Sequence, residues 1–258
     1  MNRMASLERV LLGLGSVLVA YSGGVDSTYL AWAAQQTLGP RMLAAIADSD
    51  SLPRAELDEA LAVASDAGFP VEVVRTDEFE RPEYLRNEPD RCFHCKEALF
   101  DKVFPLAEAR QLKHVVLGTV TDDLVDIRPG LVSAKRRGAR QPLVEAGLSK
   151  EQVRTLAHEA GLRVWDKPQA ACLSSRIPHG TPVTRDALRK VEEAEAAIKS
   201  LGFAVVRVRH FGDEARVEVG TDELERAQAQ IATLPGYERF TISAYRQGGA
   251  RLPILERS

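Results

Sequence analysis

The sequence predicts an α/β protein, a doubly wound and mostly parallel sheet, followed by a smaller C-terminal α+β region. Three observations predict it. Over the first two-thirds, short continuous apolar runs alternate with segments of helical periodicity, the pattern of parallel strands covered on both faces by helices. A glycine-rich turn directly follows the first apolar run and opens a helix. Beyond Lys167 and Pro168 the order becomes helix, strand, strand, helix, strand, and the strands alternate apolar with polar residues.

Taken in order, residues 16–21 (SVLVAY) read as a buried strand and 26–38 as a helix. Residues 41–48 are a second strand, and 53–68 a helix that starts on Pro53 and stops at Gly68. That asymmetry arises because proline is pre-set for a helix start and glycine for the left-handed stop. Residues 71–75 form a third strand, 92–111 a helix and 114–118 a fourth strand. The helix at 149–160 opens on Ser149 with Gln152 three residues on, a capping-box spacing. Between them, 77–90 reads as an acidic loop, with six acids against two arginines. A turn-rich stretch at 171–184 contains Pro178, Gly180 and Pro182. It is followed by a charged helix at 185–201, strands at 203–210 and 215–220, a helix at 221–234 and a last strand at 237–244. The expected division is a first domain at 1–168 and a second at 169–258 that includes the Cys172 segment.

The 258 residues are 45% hydrophobic and 28% charged, which excludes a disordered chain. Lys plus Arg is 34 against 37 Asp plus Glu, a net charge of −3. That balance argues against a dedicated nucleic-acid binder, which carries a strong basic excess. The apolar stretch at 7–21 is broken by Glu8, Arg9, Gly13 and Gly15, too short and interrupted to span a membrane. It also lacks the basic start and small-residue cleavage site of a signal peptide. With three cysteines, the expected setting is a reducing cytoplasm.

The sharpest motif is Ser22-Gly23-Gly24-Val25-Asp26-Ser27, after the first strand and opening the first helix of the alternating pattern. Backbone N–H groups at such a helix start carry partial positive charge, and glycines let phosphate oxygens approach the backbone. Ser22 and Ser27 add hydroxyls, and Asp26 is placed to orient the loop or hold Mg2+. The lysine-bearing GxxxxGK[ST] loop is absent. A dinucleotide fingerprint starting at Gly13 fails because position 18 is Leu. Gly118, after the fourth strand, lies where open α/β sheets bind ligands. Asp122, Asp123 and Asp126 beyond it are either Mg2+ ligands or a solvated acidic loop.

Cys92 and Cys95 stand three apart at the start of a helix, on one face, where the helix N-terminus favours thiolate. Cys172 follows far along the chain. Four readings remain open on these residues. They are unrelated buried cysteines, a zinc site completed by His94 or His179, a lone sulfur-carrying Cys172, or three thiolates holding a [4Fe-4S] cluster with one open iron. Arg176, Arg207 and Arg209 are candidates for a substrate phosphate or carboxylate, since guanidinium offers a planar fork of donors. Lys96 reads as a surface lysine.

The loop at 22–27 resembles that of the PP-loop ATP pyrophosphatases, whose members include GMP synthetase, NAD synthetase and tRNA-thiolation families. The resemblance implies cleavage of ATP between the α- and β-phosphates and formation of an adenylate. Further stretches resemble one branch, the LarE-type sulfur transferases. They are Cys92-x-x-Cys95-Lys96, Gly118-Thr119-Val120-Thr121-Asp122-Asp123 with Asp126-x-Arg128-Pro129-Gly130, and Trp165-Asp166-Lys167-Pro168. Ala171-Cys172-Leu173-Ser174-Ser175-Arg176-Ile177-Pro178 and Arg207-x-Arg209 complete the set.

That resemblance covers nearly the whole chain. It implies ATP-dependent conversion of pyridinium-3,5-dicarboxylate mononucleotide, a small nucleotide substrate, to a thiocarboxylate on the route to the nickel-pincer cofactor of lactate racemase. It also implies a homo-oligomer. The family has two sulfur chemistries. One sacrifices the sulfur of a single cysteine, matched here by Cys172. The other uses three cysteines and a [4Fe-4S] cluster fed by a sulfide donor. The presence of Cys92 and Cys95 favours the second as the expectation. The alternative function is a tRNA thiolase of the same superfamily.

Overall fold

The computed structural model describes residues 3–125, 129–168 and 171–246. Its elements run α1 (Arg3–Leu14), β1 (Val17–Tyr21), α2 (Val25–Leu38), β2 (Met42–Asp48), α3 (Arg54–Ala67), β3 (Val71–Arg75) and α4 (Pro82–Leu85). They continue with α5 (Arg91–Ala109), β4 (His114–Leu117), α6 (Pro129–Arg136), α7 (Pro142–Glu145) and α8 (Lys150–Glu159). The last are α9 (Arg185–Ser200), β5 (Val206–Phe211), β6 (Glu214–Val219), α10 (Leu224–Gln230) and β7 (Arg239–Ala244). The chain divides into two compact units, Met1–Glu78 with Cys92–Ala170, and Phe79–Arg91 with Ala171–Ser258.

In the first unit β3, β2, β1 and β4 lie side by side in that order, every pair parallel. The period of two decides the packing. Val17, Val19 and Tyr21 of β1 face a core shared with α1, α2 and α8, while Leu18 and Ala20 face a second core shared with α5. All five β1 residues are therefore buried, which is why the strand reads as a continuous apolar run. Chain order reverses between β1 and β4, so the crevice beyond their carboxyl ends is the topological switch point where such sheets take ligands. The capping box expected at α8 is formed, with Ser149 and Gln152 reciprocally bonded. The stretch at 7–21 is a helix followed by β1, and among the described residues no helix is long and apolar enough to cross a membrane.

The second unit holds a three-stranded sheet, β5-β6-β7, antiparallel then parallel. Val206, Val208, Val217 and Val219 point into its core together with Ala194 and Ile198 of α9. Arg207 and Arg209 occupy the opposite face of β5. Most of the stretch 77–90 expected as an acidic loop falls in the segment 79–91, which packs within this unit, with Tyr84, Asn87 and Arg91 all buried.

Candidate functional site

The turn from β1 into α2 is the site's frame. Gly23 adopts φ +71°, and a Cβ there would lie 2.6 Å from the Ala60 Cβ. Both conditions demand glycine. Gly118, at the end of β4, packs so close that a Cβ would meet the Ser27 backbone N at 2.8 Å. Gly24 differs: its φ of −82° suits any residue, and a Cβ would find nothing nearer than the Ser22 Oγ at 3.7 Å. The Ser27 hydroxyl knots the loop. It accepts from Ser22 N at 3.2 Å, lies 3.0 Å from Ser22 Oγ and donates to Gly24 O at 3.1 Å. Thr28 Oγ1 also donates to Gly24 O, at 2.9 Å. Among the described residues no side chain caps α2. Its first-turn N–H groups are thus left for an anion.

Asp26 lies in the first turn of α2 with one oxygen paired to Lys150 Nζ. Its other oxygen, Oδ1, is buried and has no partner among the described residues. Burial pushes the Asp26 carboxyl above the usual carboxylate range, against the opposing pull of Lys150. Lys150 is the first residue of α8, and its backbone N–H donates to Asp122 Oδ2 at 2.9 Å. That bond holds the exposed Asp122 carboxyl below its ordinary range. Asp123 Oδ2 accepts from Val120 N at 3.2 Å, so both acids shape the turn after β4. Asp126 and Arg128 lie outside the described residues. Lys150 is a loop partner that the sequence reading missed; it directly follows Ser149, the N-cap of α8.

Cys92 is exposed and Cys95 half-buried at the start of α5; neither they nor Cys172 are joined in a disulfide among the described residues. Lys96 is not the surface lysine expected. It is half-buried, 5.9 Å from the Phe100 ring centre, and burial pushes its ammonium pKa down against the pull of Cys95 and Cys92. Lys167 of the Trp165–Pro168 stretch is tied to Glu56 and Glu59, each at 2.8 Å. Among the described residues no three His, Cys, Asp or Glu side chains are grouped to hold a metal.

In the second unit Cys172 immediately precedes a 3-10 turn, Leu173–Arg176. Arg176 is buried and forks onto Glu195, at 2.8 and 3.0 Å, while its remaining N–H groups reach the carbonyls of Ala171 and Cys172. Arg209 is buried too; it pairs with Glu218 at 2.9 Å and donates to Ser175 O at 3.0 Å. These two guanidinium groups are occupied by protein carboxylates and by the backbone around Cys172. Arg207 is not. It is half-buried and donates to Val206 O at 2.8 Å, and among the described residues no carboxylate pairs with it. Burial, reinforced by the neighbouring Arg176 charge, pushes its pKa down.

No family model matches the chain. Over 225 residues, 87% of this chain and 84% of the relative, it is 41% identical to an uncharacterized protein of Synechocystis sp.. Over 219 residues, 84% of this chain and 79% of the relative, it is 36% identical to the pyridinium-3,5-bisthiocarboxylic acid mononucleotide synthase of Lactiplantibacillus plantarum. It is also 28% identical over 214 residues, 75% of this chain and 41% of the relative, to the glutamine-hydrolysing GMP synthase of Aeropyrum pernix.

Proposed function

The chain belongs to the family of the pyridinium-3,5-bisthiocarboxylic acid mononucleotide synthase, the LarE-type ATP-dependent sulfur transferases, and from that premise we propose that it adenylates a carboxylate of pyridinium-3,5-dicarboxylate mononucleotide and converts it to a thiocarboxylate. The observation that carries this reading is the knotted, uncapped loop at Ser22–Ser27 on the switch point of the sheet, with Gly24 left open. The loop N–H groups bind the β- and γ-phosphates. A substrate carboxylate oxygen attacks the α-phosphorus, the bond to the β-phosphate oxygen breaks, and pyrophosphate leaves in the loop. A sulfur nucleophile then attacks the activated carbonyl carbon and AMP departs.

Mg2+ fits this loop, because Asp26 Oδ1 is a buried carboxylate oxygen with no partner among the described residues, the ligand type a hard dication takes. When bound, it neutralises charge on the departing pyrophosphate. Arg207 is the residue we assign to the anionic end of the substrate. A phosphate or carboxylate would offset both the cost of burying its charge and its repulsion from Arg176. Arg176 and Arg209 act on the same reading as supports of the Cys172 segment.

We place sulfur transfer at Cys172, the thiol that these arginines present. The [4Fe-4S] source has in its favour three cysteines outside any disulfide and no fourth cysteine. Iron content of anaerobically purified protein decides between the sources, with thiocarboxylate formed per chain when sulfide is added. A single product per chain, with a mass loss of one hydrogen sulfide, assigns the sulfur to Cys172 itself. The function is tested by pyrophosphate release from ATP. Release must depend on the mononucleotide; release that depends on tRNA instead overturns the reading in favour of a tRNA thiolase.

A further inference from the structure

The segment Phe79–Arg91 has no part in the proposed adenylation, yet its buried polar side chains all turn toward one target. Asn87 is fully buried and sits at φ +57°, a left-handed conformation that asparagine tolerates better than most residues. Its Nδ2 donates to the carbonyls of Ile177, Pro178 and Thr181, at 3.3, 2.8 and 2.8 Å. Its own carbonyl accepts from Gly180 N at 3.1 Å and lies 3.2 Å from His179 Nδ1. Arg91, 6% exposed, donates through one nitrogen to Asn87 Oδ1 and to Ser174 O, the latter at 2.7 Å. Tyr84 completes the set, its hydroxyl 2.6 Å from Ser174 Oγ, and Val183 N donates to Leu85 O at 2.9 Å.

These contacts fall on the backbone that follows Cys172. The carbonyls of Ala171, Cys172, Ser174 and Ser175 all accept from guanidinium groups, of Arg176, Arg91 and Arg209. A loop whose regular structure is one short 3-10 turn is being given the fixed hydrogen bonding that a longer helix or strand supplies for itself. That expense of buried polar groups is explained by a side chain in the loop whose position matters. Cys172 is the chemically reactive one.

We propose that Asn87 and Arg91 are positioning residues for the Cys172 thiol. The strap they belong to holds the 172–181 loop in the one conformation that lets sulfur reach the activated carbonyl. This rests on the assignment of sulfur transfer to Cys172. Misplacing a reacting atom by about 1 Å costs about a hundredfold in rate, so the second half-reaction is sensitive to the strap and the first is not.

The test uses the full-length chain and two variants. Asn87→Gly keeps the left-handed backbone and removes the three donations, and Arg91→Gln shortens the reach to Ser174. Alkylation of the three cysteines by iodoacetamide is followed by peptide mass spectrometry, so that Cys92 and Cys95 serve as internal references. Both variants are expected to change the Cys172 rate about tenfold, the equivalent of one lost hydrogen bond of about 1.4 kcal/mol, with Cys92 and Cys95 unchanged. Thiocarboxylate formation is expected to fall about a hundredfold, with mononucleotide-dependent pyrophosphate release within twofold of wild type. Arg91→Lys, which keeps a donor for Ser174, is expected to recover part of the loss.

Wild-type Cys172 alkylation and thiocarboxylate yield in both variants would overturn the proposal. So would a parallel fall of both half-reactions, or a uniform rise in alkylation of all three thiols, because those mark a merely structural strap. If wild-type protein released no pyrophosphate with the mononucleotide, the functional reading would fail, and the alkylation ratios would still judge the strap.

Discussion

Replacing Gly24 by alanine separates what the phosphate loop needs to fold from what it needs to bind. At Gly24 the backbone is extended, φ −82° and ψ 161°, and an added Cβ meets only Ser22 Oγ at 3.7 Å, ordinary van der Waals contact. Alanine at a compatible position stabilises by about 0.4–1 kcal/mol through the unfolded chain. Loss of the N-cap preference for glycine offsets a similar amount, so folding stability should stay within about 1 kcal/mol of wild type. Phosphate binding has no such latitude. A phosphate oxygen sits about 2.9 Å from a donating backbone nitrogen, whereas a methyl carbon holds other atoms at about 3.5–4 Å. Displacing one charge-assisted bond costs about 1.5–3 kcal/mol, or about ten- to a hundredfold in kcat/KM for pyrophosphate release. The bulkier Gly24→Val should abolish release. Gly23→Ala is the control of opposite kind. Its φ of +71° and a 2.6 Å approach to the Ala60 Cβ combine backbone strain with overpacking, so it should lose about 2–5 kcal/mol of stability. Denaturant unfolding and pyrophosphate release are measured on both. Wild-type release in Gly24→Ala, or unfolding of Gly24→Ala as severe as that of Gly23→Ala, would refute the reasoning.

Three further outcomes follow from the same geometry. Lys150→Met removes the cation paired with Asp26. Pyrophosphate release should drop about tenfold or more. Lys150 opposes the burial that raises the Asp26 pKa, so the acid limb of the pH–rate profile should move to higher pH; an unmoved limb counts against the pairing. Arg207→Ala should weaken mononucleotide binding about ten- to a hundredfold with ATP binding unchanged, as read by calorimetric titration of each. Arg176→Ala should instead cost about 3–5 kcal/mol of stability, because it leaves Glu195, 3% exposed, buried without its cation. The reverse pattern for the two arginines would overturn their assignments. His210 is held below its ordinary pKa by burial, with Lys190 adding to the effect. As pH falls below about 6.5 the unfolded chain takes up the proton first, so stability present above that pH is lost as acid is added. His210→Gln should flatten the decline between about pH 7 and 5; an unchanged slope in denaturant unfolding would reject it.

The parts of this molecule that were readable in the sequence are those whose physics is local. β1 reads as a strand because both its faces are buried, so five successive residues are apolar. The phosphate loop reads as one because its glycines, serines and aspartate act on their own turn, within five residues of one another. Arg176 and Arg209 show where that locality ends. A guanidinium announces that it will meet an anion, and sequence alone does not say whether the anion is a substrate or a protein carboxylate. For Arg209 one local sign exists. In the antiparallel register Arg209 faces Arg216, so Glu218, two residues on, falls diagonally within reach on the same face. Arg176 offers no comparable sign, since Glu195 reaches it from another element. Asn87 and Arg91 are the extreme case, bonded to carbonyls 83 to 94 residues away. Such contacts leave no period and no spacing, only a buried asparagine and arginine in an otherwise acidic stretch. On the proposed function, the nucleotide half of the reaction rests on a compact motif, and the sulfur half on side chains recruited from distant segments to hold one loop. Substitutions that look neutral by sequence should therefore concentrate their damage on sulfur transfer and spare adenylation.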